Sequence, residues 1–145
     1  LIGCRPCPEA SIRYWQGFAA LDQQAQDWLL CCNQALATYE PLWNALDGLV
    51  MLWPSSWQSP RRWRLQAEAR QRRAGGGWMP VEALDRLVRA SLDSLPAELY
   101  QRPLLESAAW VRELDGRRRC AWQGSGDAWR ERDAQSSSPC SSATG

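Results

Sequence analysis

The sequence predicts an all-α protein: a small bundle of four to five helices with an Arg-rich connector and a disordered C-terminal tail. Three observations carry that prediction. First, steps of three and four residues from Trp15 reach Phe18, Asp22, Ala25, Leu29, Cys32, Leu36, Tyr39, Trp43, Leu46, Val50 and Trp53, and only Asp22 on this stripe is polar. A period near 3.5 is helical, and a strand would need alternation. Second, Val81, Leu84, Leu87, Val88, Leu92 and Leu95 repeat the pattern behind Pro80. Third, the apolar content collapses after Arg117 and the chain ends in Ser-rich sequence, the composition of a segment with too little to bury.

Residues 1–7 read as a flexible N-terminus, and residues 8–115 as the helical domain. Within it, 8–53 is a long heptad-patterned helix or kinked pair, with the break at Glu40-Pro41 because Pro41 has no amide to donate. Trp28, Leu30, Leu42, Leu49 and Leu52 widen the apolar side beyond a thin coiled-coil seam. Residues 54–79 form the Arg-rich connector, which opens on the turn-forming run Pro54–Pro60. Gly75-Gly76-Gly77 supplies a hinge at its end. Residues 80–115 read as a helical hairpin: Pro80 opens its first helix, Ser94 caps a short helix at 96–102, and Pro103 opens another with Leu104, Leu105, Ala108, Val111 and Leu114 facing inward. Residues 116–145 read as the disordered tail.

Composition excludes much chemistry. The chain of 145 residues carries a formal net charge of +1 and no His. A Ser-His-Asp triad, a Cys-His pair and an HExxH zinc site are therefore unavailable. All 17 basic residues are Arg, and without Lys a phosphate loop of the GxxxxGK[ST] type cannot be written. Cys4-Arg5-Pro6-Cys7 is a CxxC, but no second pair completes a zinc shell and no strand precedes it as in redox folds. Cys31 and Cys32 are adjacent on the predicted helix and Cys140 lies in the Ser-rich tail, so the thiols read as those of a reduced, cytoplasmic protein. The longest apolar run, Leu49–Trp53, is far too short for a transmembrane span. No metal and no cofactor are predicted.

Residues 61–79 carry six Arg and one Glu, a local charge of +5 between two acidic blocks. Of the Trp residues outside the predicted apolar faces, Trp57, Trp63, Trp78, Trp122 and Trp129 are the interface candidates.

These features predict a non-catalytic interaction or assembly protein, not an enzyme. Its broad Trp/Leu face would serve self-association or partner docking, through Trp15, Trp28, Leu29, Leu36, Trp43, Leu46 and Trp53. The expected partner is a protein or a second copy, and a small-molecule substrate is not expected. The alternative is a nucleic-acid-associated helical protein that binds phosphates through Arg61, Arg62, Trp63, Arg64, Arg70, Arg72 and Arg73.

Overall fold

The computed structural model of the chain describes residues 4–137. It corrects the fold class. The protein is not an all-α bundle or a coiled coil: helices pack on a mixed sheet of three strands, in the order β1-β2-β3.

The first third is helical but broken. Helix α1 spans Glu9–Tyr14, α2 spans Gln23–Leu36 and α3 spans Glu40–Asn44, with 3-10 turns at Phe18–Ala20 and Ala37–Tyr39. Asp22, the one polar residue on the stripe, is where α2 begins. Its side chain accepts the Ala25 N–H at 2.8 Å, the N-cap geometry that satisfies an orphan amide. The expected 8–39 helix is interrupted before that point because Trp15 turns extended and lays its ring against Gly17, where any Cβ would collide. Pro41 sits in the first turn of α3, where its missing amide costs nothing.

The heptad then continues in sequence but not in structure. Val50–Pro54 is strand β1, with Met51 and Trp53 buried and Val50 and Leu52 exposed. The stripe positions Val50 and Trp53 thus lie on opposite faces of a strand, as period-2 geometry requires. Residue by residue from Val50↔Trp110 to Pro54↔Leu114, β1 pairs in parallel with β2, Trp110–Leu114. Parallel strands need a crossover. Here it consists of α4 (Gln58–Arg73), α5 (Val81–Ser94), α6 (Ala97–Tyr100) and α7 (Arg102–Ser107).

The segment expected to be disordered from 116 onward contains β3, Cys120–Gly124, antiparallel to β2, and α8, Gly126–Ser137. The rest of that segment, 138–145, lies outside the described residues. What orders β3 and α8 is a tertiary anchor with no periodic signal: Trp129 is 9% exposed and sits edge-on to Trp53 and Trp122, with centroids 6.2 and 5.4 Å away. Arg132 lies 5.2 and 5.4 Å from the Trp122 and Trp129 rings and pairs with Glu113 at 2.6 Å. The N-terminus is likewise tied down from Cys4, whose thiol is buried in the helical core; residues 1–3 lie outside the described residues.

Two hydrophobic clusters result. Cys4, Ile12, Phe18, Leu29, Leu36, Leu95 and Tyr100 form one, among the helices. Met51, Trp53, Ala97, Leu105, Ala108, Val111 and Trp129 form the other, beneath one face of the sheet. At the junction of α7 and α8, Gly126 approaches the carbonyls of Leu105, Glu106 and Ala108 too closely for any Cβ.

Candidate anion-binding cleft

The connector is a helix. Its composition favours α4, and the last-turn residues Arg70, Arg72 and Arg73 oppose the negative end of the helix dipole. Past Arg73 the chain reverses. Gly75 takes φ +75°, a left-handed conformation that glycine adopts without penalty, and the Gly76 amide donates to the Gln71 carbonyl at 3.1 Å. The reversal carries Trp78 and Met79 back alongside the helix.

Glu68 holds them there. It is only 8% exposed, pairs with Arg64 at 2.8 Å, and accepts the Met79 N–H at 2.9 Å. A buried carboxylate that satisfies a guanidinium and a backbone amide at once is positioned rather than free. Between helix and returning loop lies a cleft of about 490 Å³, lined by Leu65, Glu68, Ala69, Arg72, Arg73, Trp78, Met79 and Val81. The Arg72 guanidinium stands 4.4 Å from the Trp78 ring centroid, a cation–π contact that keeps its charge at the cleft. Among the described residues neither Arg72 nor Arg73 has a carboxylate at ion-pair distance. The cleft therefore carries uncompensated positive charge beside an apolar wall.

The predicted Arg cluster is divided by the structure. Arg72 and Arg73 line the cleft, and Arg64 serves it through Glu68. Arg70 is exposed on the same helix and is not among the lining residues. Arg61 instead pairs with Asp85 of α5 at 2.7 Å, and that hydrogen-bonded guanidinium holds the Asp85 carboxyl below its usual range. Trp63 donates its indole N–H to the Gly116 carbonyl at 3.1 Å, while Arg118 stacks 5.6 Å from its ring. Trp63 thus fastens α4 to the β2–β3 turn, and exposed Arg62 lies beside Gly116 in the same corner.

The expected partner face is not one face. Leu29 and Leu36 are sealed in the helical cluster, and Trp53 is in the sheet cluster. Trp15 and Trp43 are half-buried, the latter beneath Arg5 at 5.4 Å. Only Trp28 and Leu46 are open, and the Trp28 N–H donates to Ser94 at 2.7 Å. Glu68 and Met79, with the apolar lining residues Leu65, Ala69 and Val81, are the cleft residues that sequence reasoning missed. The one available signal was a lone acid four residues after Arg64 inside an Arg run.

Burial pushes the Cys4, Cys7 and Cys32 thiols up, which makes them less reactive. Among the described residues no group of three or more side chains is placed to hold a metal ion, and no helix is long and apolar enough to cross a membrane.

No family model and no curated protein match the chain. Its fold, however, is similar to that of a solved structure, D-glycerate 3-kinase from Cryptococcus neoformans var. grubii serotype A. The TM-score is 0.64 at 23% identity, over 85% of this chain and 46% of that one. The chain spans slightly less than half the length of that kinase. The non-catalytic assembly module, and the nucleic-acid-binding helical protein offered as its alternative, were both drawn on an all-helical chain; the α/β fold corrects that basis, and the exclusion of an enzyme loses its ground. The chain has an α/β fold that it shares with a kinase.

Proposed function

We propose that this chain forms part of a small-molecule phosphotransferase and that its α4 cleft binds an anionic group of the reactants. The observation that carries the reading is the pair Arg72 and Arg73, which face the cleft with no carboxylate to neutralise them among the described residues. The fold shared with a kinase that acts on a sugar acid supports it.

Phosphoryl transfer is mostly a problem of placing charge. Three equatorial oxygens carry negative charge through the transition state, and fixed cations lower its energy. Guanidinium groups match phosphate oxygens in pairs and stay charged at every working pH. In this scheme Arg72 and Arg73 contact the anion. Glu68 is a positioning residue: it fixes Arg64 and holds the Met79 amide, which places the Trp78 wall. A divalent cation is not assigned to the cleft, because its one carboxylate is already engaged by these two donors. No GxxxxGK[ST] phosphate loop occurs in the 145 residues, so the role given to this chain is charge stabilisation and binding.

The test is titration calorimetry with inorganic tripolyphosphate at two salt concentrations. Binding should weaken as salt rises, and the double variant Arg72→Ala/Arg73→Ala should lose roughly ten-fold or more in affinity. Absence of binding at low salt, or binding indifferent to the double variant, overturns the reading.

A further inference from the structure

The segment that returns along α4 has a hollow on each flank, and the two differ in chemistry. Residues three and four apart share a helix face. Arg64, Glu68 and Gln71 therefore front one hollow, and Leu65, Ala69 and Arg72 front the other. Glu68, Trp78 and Met79 border both. The first flank is polar. The second is the cleft of about 490 Å³, and it changes character along the helix. Leu65 lies two turns before Arg72, roughly 10 Å away along the axis. The charge of Arg72 and Arg73 is thus gathered at the C-terminal end of α4, with Leu65 and Ala69 behind it on the same face. Apolar surface stands open to solvent here: Val81 is 50% exposed and Trp78 45%.

The lining side chains are also one-sided as hydrogen-bonding groups. Both oxygens of Glu68 are engaged, one by Arg64 and one by the Met79 amide. The other polar side chains of the cleft, Arg72, Arg73 and Trp78, can only donate. A phosphate offers acceptors to these donors. A hydroxylated body would bring O–H donors that no free lining side chain can accept, and each would lose its water without replacement. An apolar body has no such requirement and matches Leu65, Ala69 and Val81.

We propose that the reactant held by this cleft is a phosphate monoester of an apolar alcohol or phenol: its phosphate meets Arg72 and Arg73, and its body covers Leu65, Ala69, Val81 and the Trp78 ring. The inference rests on the anion-binding reading of the same cleft and names the class of reactant. The volume is that of a small-molecule site. Covering the apolar lining removes it from water, a gain roughly proportional to area, while the guanidiniums fix the orientation. Arg72 is held 4.4 Å from the Trp78 ring centroid, so charge and aromatic surface adjoin and a short link between phosphate and body spans them. A bare polyanion satisfies the guanidiniums but leaves the apolar lining wet. An uncharged hydrocarbon does the reverse. A molecule with both parts satisfies both.

The experiment is titration calorimetry on the whole chain with two esters of the same charge, naphthyl phosphate and glycerol phosphate. Naphthyl phosphate should bind roughly ten-fold or more tighter, with a negative heat-capacity change. Ala69→Gln/Val81→Asn changes two exposed lining residues without altering charge. It should keep the circular dichroism of the parent, which shows that it is folded, and bring the two affinities to within about three-fold of each other. Arg72→Ala/Arg73→Ala should weaken both esters roughly ten-fold or more. Four results overturn the proposal: equal affinity for the two esters, preference for glycerol phosphate, uncharged naphthol bound as tightly as its phosphate, or a naphthyl preference indifferent to both double variants. Tripolyphosphate separates this inference from the reading beneath it. If it binds in a salt-dependent way while the two esters bind alike, the apolar class fails and the anion cleft stands. If neither it nor the esters bind, the cleft reading fails and carries this inference with it.

Discussion

The two hydrophobic clusters are built from different chemistry. The helical one includes a buried thiol, Cys4, with Cys7 and Cys32 packed on it, and the buried Tyr100 hydroxyl, whose polar neighbour is the Cys7 thiol. The sheet cluster has no such group. Its substance is aromatic: Trp53 sits edge-on to Trp57 at 5.1 Å and to Trp129 at 6.2 Å. Edge-on aromatic pairs add roughly 0.5–1.5 kcal/mol beyond the area they bury, and they fix ring orientation. A phenol whose partner is a thiol, a weak hydrogen-bonding group, recovers only part of the hydration it lost. The sheet cluster is thus set by ring geometry, and the helical cluster holds the buried titratable groups.

Cavity variants should break this contrast or sharpen it most strongly. Leu105 and Leu29 are both fully buried, one in each cluster. Replacing either with Ala should cost about 2–5 kcal/mol, seen in denaturant unfolding. Only Leu105→Ala should also reduce the near-ultraviolet dichroism of the stacked Trp rings. Equal loss of that signal in both variants would mean that the two clusters act as one.

Alkali comes next. Burial raises Cys4, Cys7, Cys32 and Tyr100 above their ordinary values. A raised value means that the folded state holds the proton more tightly than the unfolded chain. The resulting stabilisation is complete below the unfolded thiol value of about 8.5 and declines as pH rises from there toward the folded values. In reducing buffer, the protection of α2 amides, measured relative to the base-catalysed intrinsic exchange rate, should therefore fall above about pH 9, before that of β2. Simultaneous loss of protection in both elements would contradict the division.

The smallest effect belongs to Tyr100→Phe. It deletes a buried hydroxyl partnered by the Cys7 thiol while keeping the ring, and should change stability by no more than about 1 kcal/mol. The same variant should flatten the alkaline limb above about pH 10. A larger loss of stability would show that the hydroxyl makes a bond stronger than a thiol offers.

The contrast between the clusters also explains what could be read from the sequence. Helical order is local: α2 and α5 were legible because each repeats its apolar residues within its own length, and Pro41 marks a helix start by its own covalent structure. Sheet order is not local. Strand β1 meets β2 across 60 positions of register, and Val50–Trp53 satisfied the heptad and a strand equally well. Strand β2 was absorbed into the inward-facing set Leu104, Leu105, Ala108, Val111 and Leu114, which in fact straddles the end of α7 and the strand. Strand β3 and α8 are polar apart from the Trp residues that dock them, so composition alone read them as disordered. The cleft was half legible. The Arg run announced its charge, but only the chain reversal after Arg73 brings Trp78 and Met79 against Glu68.

That reversal also shapes how any occupant must bind. Open space surrounds the Cα atoms of Gly75 and Gly77, and no side chain in the triplet braces the loop that carries Trp78, so one wall of the cleft is tethered by the softest stretch of backbone a chain can have. Its position comes instead from its two ends: the Gly75 and Gly76 amides donate to Arg72 and Gln71, and the Met79 amide donates to Glu68. Loss of the Glu68 carboxylate should therefore free the wall, and an occupant would then have to fix the loop backbone itself, at about 1–2 kcal/mol for each residue ordered.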